Sequence, residues 1–143
     1  MNAPVRNRGG APVGFVSELD SVEAAAVLYL RLWSDGPNAK ERVADDFVAR
    51  LGADAGRHAL HNFEDLCRLC IHYGRRPLMR HHVTCKCLGA DEACFANFVA
   101  TAGEGLREDA VMIATVLVRP DVALPLTDLE RVAVFEIQDS PDA

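Results

Sequence analysis

Residues 55–74 read AGRHALHNFEDLCRLCIHYG, and their periodicity decides the fold class. At 100° per residue, Leu60, Phe63, Cys67, Cys70 and Ile71 share one side of a helix. His58, His61, Asp65 and His72 fall on the opposite, polar side. Gly74 suits a left-handed cap, so the spacing predicts a helix from about Ala55 to Tyr73.

The same period extends both ways along the chain. Ser17 or Asp20 is placed to cap a first helix running to about Trp33, with Val22, Ala25, Ala26, Tyr29, Leu30 and Trp33 at three-and-four spacing. The turn signal Ser34-Asp35-Gly36-Pro37-Asn38 separates it from a second helix, about Ala39 to Leu51, which ends at Gly52. Downstream, Pro77 fits the first turn of a fourth helix closing at Gly89. Asp91 then caps a fifth, presenting Phe95, Phe98, Val99 and Ala102, before Gly103 and Gly105 break the pattern. A sixth, Arg107 to Val118, is almost wholly apolar from Ala110 onward and is expected to be the most buried.

Pro120 and Pro125 read as a connection to a last segment, Thr127 to Ile137, where Thr127 and Glu130 have capping-box spacing. Val132, Val134, Phe135 and Ile137 leave a terminal strand open as the alternative. Residues 1–14 carry little apolar content and read as a flexible arm. The expected architecture is all-α: one compact domain of six or seven short helices over residues 15–143, preceded by that arm.

At 143 residues, with 50% apolar and 25% charged, the chain has ordinary globular composition and needs no metal or disulfide merely to reach a stable size. A net charge of −6 argues against general nucleic-acid binding, which needs a broad basic surface. No apolar run approaches a membrane span, and Met1 to Gly14 lacks the apolar stretch of a secretory signal. With an odd count of five cysteines, the expectation is a cytoplasmic protein with reduced thiols and no membrane partner.

All five histidines and all five cysteines lie between His58 and Cys94. Within that stretch, Leu66 to Ala90 holds Arg68, Arg75, Arg76, Arg80 and Lys86 and no acid. It carries +5 in a chain at −6, so everything else sums to −11. Soft ligands and positive charge are concentrated together, and each suggests its own chemistry.

The metal reading centres on His81, His82, Cys85 and Cys87. On the fourth helix, His81 and His82 lie four and three residues before Cys85, a half-site for zinc, whose tetrahedral shell takes imidazole and thiolate. Cys87 would point about 160° away from Cys85 in a regular helix and joins only if the chain unwinds before Gly89. In that case Cys67, Cys70, Cys85 and Cys87 approach a zinc-ribbon pattern with the second pair one residue short. An iron–sulfur cluster is the weaker form of this idea. Against it, Cys67 and Cys70 read more simply as small buried hydrophobes. His58, His61 and Asp65 form a stripe that suits a metal but is more often solvated. Lys86 between two thiols, with Arg80, His81 and His82 nearby, also fits a redox sensor with an activated Cys85 or Cys87. No hydrolase, deaminase or phosphate-loop string is present, so an enzyme is unsupported.

The anion reading centres on Arg75, Arg76, Arg80 and Lys86. Three arginines around a helix start at Pro77 would combine free N–H groups with guanidinium forks that match phosphate or carboxylate. Balanced against this, the arginines pair with the protein's own acids or with those of a second subunit, Asp45-Asp46 and Glu108-Asp109 being available. The expected function is therefore a non-enzymatic binding or regulatory module for an anionic small molecule or an acidic protein surface. The alternative is a zinc metalloprotein or thiol sensor, and a homo-oligomer is compatible with either.

Overall fold

The structure, a computed structural model, describes residues 8–128. A 3-10 turn at Arg8–Gly10 leads into strand β1 (Pro12–Phe15) and a second turn at Val16–Glu18. Five helices carry most of the rest: α1 (Ser21–Trp33), α2 (Pro37–Leu51), α3 (Ala53–His72), α4 (Ala90–Gly103) and α5 (Arg107–Leu117). Strand β2 (Cys87–Gly89) precedes α4, and residues 120–128 form a further helix, α6, at the edge of the described region. The all-α, single-domain expectation holds, with a two-stranded sheet as its one addition among the described residues.

Local signals explain where the helices begin and end. Asp20 caps α1 by accepting the Glu23 N–H at 2.9 Å. Pro37 occupies the first turn of α2, where a missing N–H costs nothing. Gly36 and Gly52 stand at φ 107° and 89°, a region closed to most side chains, and so set the chain reversals on either side of α2.

Helices α1 and α4 pack centrally, α2 lies against α1 and α3, and α5 covers α4. Tyr29, Phe47, Phe63 and Phe95 form a chain of ring contacts through this core, with centroids 5.0, 5.9 and 6.4 Å apart. Cys67 and Cys70 are buried beside them, so these two thiols act as core packing groups. Ile71, grouped with them by periodicity, is instead exposed.

Three segments differ from the sequence reading. The fourth helix does not form: residues 75–86 are irregular and run into β2. The cause is long-range, because this segment's backbone groups are bonded by side chains of α1 and α4. Second, residues 8–14 fall within the arm expected over residues 1–14. There, β1 pairs antiparallel with β2, Pro12 opposite Gly89 and Phe15 opposite Cys87. The Ala90 N–H to Ala11 and the Val16 N–H to Lys86 extend that pairing, at 3.0 and 2.9 Å.

Third, the stretch containing Pro120 and Pro125 is helix, not connection. Pro120 stands at its first position, and burial of Val122, Ala123 and Leu126 offsets the bond that Pro125 removes. Only the start of the final segment, Thr127 and Asp128, is helical here; its remainder lies outside the described residues. Helix α5, expected to be the most buried, buries Ala110, Ala114 and Leu117 but exposes Met112 and Val116.

Candidate functional site

The basic, Cys/His-rich segment folds around two acidic residues and one buried arginine. Arg31, near the end of α1, and Glu92, in the first turn of α4, are 3% and 0% exposed at their side chains. Arg31 Nε donates to Glu92 Oε2 at 2.7 Å, and one terminal nitrogen donates to Oε1 at 2.8 Å. The remaining donors reach the carbonyls of His82, Cys85 and Cys87 at 3.1, 2.7 and 2.8 Å. Glu92 in turn accepts the His81 and Gly89 N–H groups, both at 3.0 Å.

Burial works to raise the Glu92 pKa, yet it is held below its ordinary value of 4.5. The Arg31 hydrogen bonds, the two backbone donors and the guanidinium charge together outweigh desolvation. Next to it, Asp91 accepts the Met79 N–H at 2.8 Å and pairs with Arg76. Asp91 and Glu92 thus hold the earlier part of the irregular segment, from Arg76 to His81, while Arg31 holds the carbonyls of its later part and of Cys87 in β2.

This arrangement accounts for the candidate metal residues. His81 Nε2 donates to the Gly10 carbonyl at 2.9 Å, tying the segment to the N-terminal turn. His82 Nδ1 accepts the Thr84 N–H at 3.2 Å and meets the Thr84 hydroxyl at 3.0 Å. Cys85 and Cys87 are half-buried thiols whose carbonyls face Arg31. The helical spacing that paired His81 and His82 with Cys85 is absent, because the segment is not helical. Among the described residues no three His, Cys, Asp or Glu side chains gather as a metal group. On α3, His61 lies 3.5 Å from Asp65, while His58 meets Asn62 at 3.4 Å.

The arginines are brought together differently from the sequence expectation. No helix starts at Pro77, so no helix dipole contributes there. Arg75, Arg76 and Arg80 nevertheless line one open-sided cleft of about 450 Å³, with Ile71, Pro77 and Leu78 as its apolar part. Arg75 Nε is held by the Thr115 carbonyl and one terminal nitrogen of Arg80 by the Leu78 carbonyl. Carbonyls orient these guanidinium groups without neutralising them, whereas Arg76 shares its charge with Asp91. Lys86 is exposed and lies outside the cleft lining.

The acids weighed as partners for these arginines lie elsewhere. Asp45 and Asp46 line a larger cleft, about 580 Å³, between α1 and α2, together with Arg42 and Arg50. There Asp46 is engaged by Tyr29 and by Arg50. Sequence reasoning missed Arg31, gave Glu92 no structural part, and took Asp91 for the cap of α4, whereas Gly89 holds the cap position and Asp91 stands inside the first turn. The available signal was one charged residue set among Leu30, Leu32 and Trp33 on an otherwise apolar helix end.

No protein-family model, curated protein or solved structure matches this chain. No helix among the described residues is long and apolar enough to cross a membrane.

Proposed function

We propose that this protein is a non-enzymatic binding or regulatory module whose Arg75/Arg76/Arg80 cleft receives the phosphate or carboxylate group of an anionic ligand. The observation that carries this reading is the convergence of three arginines on one cleft, two of them oriented by carbonyls rather than by carboxylates. A guanidinium offers five N–H donors, and both Arg75 and Arg80 keep most of theirs for a ligand. Ile71, Pro77 and Leu78 would cover an apolar portion attached to the anionic group.

Titration with pyrophosphate and with glutarate, followed by amide chemical shifts, tests the proposal. Binding is expected at the cleft and should weaken with salt. Arg75→Ala and Arg80→Ala should each lower affinity about ten-fold or more, the scale of one charge-assisted hydrogen bond of roughly 1.5–3 kcal/mol. Lys86→Ala should leave it unchanged. Failure of both anions to bind, or affinity indifferent to the two arginine substitutions, would overturn the reading.

A further inference from the structure

We infer that the exposed face of α5 is a self-association surface, and that its occupant is a second copy of this chain docked antiparallel about a two-fold axis between Met112 and Val116. The inference goes beyond anion binding and does not rest on it: Glu108, Met112 and Arg119 lie outside the cleft, and Arg75 alone of the residues used here also lines it.

Helix α5 turns Ala110, Ala114 and Leu117 inward, which leaves Glu108, Asp109, Met112 and Val116 on an outward arc of about 100°. Met112 is 69% exposed and Val116 57%, an unusual investment of large apolar side chains in solvent on a helix otherwise well packed. Charge is distributed along this face by position. The N-terminal end carries Glu108 and Asp109, while Arg107 is turned to Asp128 on α6. The C-terminal end carries Arg75, whose guanidinium rests on the Thr115 carbonyl, and Arg119, stacked 5.1 Å over Tyr73. Asp121 tempers Arg119 from 3.7 Å but is itself largely exposed.

Over the roughly 16 Å of an 11-residue helix the order is therefore acid, apolar, base. A second copy laid antiparallel sets acid on base at both ends and brings the Met112 and Val116 side chains together between them. A parallel copy sets like charge on like. A separate acidic partner would satisfy the basic end and meet repulsion at the other. An isologous contact repeats every favourable pair twice, so self-complementarity of this kind selects a closed dimer.

The test is sedimentation equilibrium of the full chain from about 1 µM to 1 mM at low salt, with circular dichroism to confirm the fold of each variant. A monomer–dimer equilibrium weakened by salt is expected. Met112→Glu places two carboxylates beside the axis and should raise the dimer dissociation constant more than about thirty-fold, the scale of a central interface residue. Glu108→Arg should also weaken the dimer, and adding Arg75→Glu to it should restore association, because each reversed charge then meets a reversed partner. A monomer at every concentration, an open-ended polymer, or a dimer indifferent to Met112→Glu would overturn the inference. Failure of the paired reversal to restore association would overturn the antiparallel arrangement.

Discussion

Replacing Arg31 by methionine keeps the length of the side chain and removes its charge and all of its donors. Glu92, with no exposed side-chain surface, would then be a buried carboxylate without its counter-charge. The carbonyls of His82, Cys85 and Cys87 would lose their shared partner at the same time. Removing one member of a buried pair costs about 3–5 kcal/mol, most of it from the charge left behind. Against a typical total of roughly 5–15 kcal/mol, that is a large share of the stability of one domain. For a chain of this size the expected fall in Tm is about 10–20 °C.

Urea and thermal unfolding of Arg31→Met, followed at 222 nm, measures that loss. Limited trypsin digestion locates it: cleavage after Arg80 and Lys86 should accelerate before the helices unfold, because the segment between them loses its anchor. Adding Glu92→Gln removes the orphaned charge and should return part of the lost stability. A loss below about 1 kcal/mol with an unchanged cleavage rate would refute the assignment of Arg31 as the organiser of this segment.

Three further outcomes follow from the same geometry. Because the folded-state pKa of Glu92 lies below its ordinary 4.5, its stabilisation is present above that pH and is lost as pH falls through the folded value; Glu92→Gln should therefore flatten the acid limb of a stability-against-pH curve. Gly56→Ala should destabilise by about 1–3 kcal/mol despite better helix propensity, since its methyl would stand 2.7 Å from the Phe47 carbonyl oxygen and Val48 Cα, and a urea midpoint reads the change. In native-state labelling with a thiol reagent, read by mass spectrometry, Cys85 and Cys87 should react first. Burial pushes up the Cys67 and Cys94 thiols, so Cys94 should react slowly, and Cys67 and Cys70 should stay protected until the chain unfolds.

The helices whose burial follows their own periodicity were legible from sequence. Residues 55–74 illustrate this: Phe63, Cys67 and Cys70 are buried and His58, His61 and His72 exposed, as 3.6-residue spacing requires. Residues 75–86 were not legible, because nothing within them opposes a helix strongly. Their conformation is set by Arg31, more than forty positions earlier, and by Asp91 and Glu92 after them. Local pattern cannot register a carbonyl bonded to a distant guanidinium. The same limit separates the two site readings. Arg75, Arg76 and Arg80 line one cleft although no helix starts at Pro77, whereas the helical spacing of His81 and His82 to Cys85 is absent from an irregular segment. Pro120 is a helix-start signal rather than a connection, and Pro125 misled for a different reason, burial of Val122 and Leu126 outweighing the bond it removes.

The pairing of β1 with β2 imposes an order on how the molecule is made. Pro12 is made before its partner Gly89, which is added 77 positions later. At about 5–20 residues per second the strand waits several seconds for a mate, and closing so long a loop carries an entropic penalty that only prior packing can reduce. Helices α1, α2 and α3 are complete within that interval and can assemble on local contacts. Arg31 is then already in place when the carbonyls of residues 82–87 arrive, so the basic segment is cast onto an existing template, and β1 is closed only after the three helices that follow it.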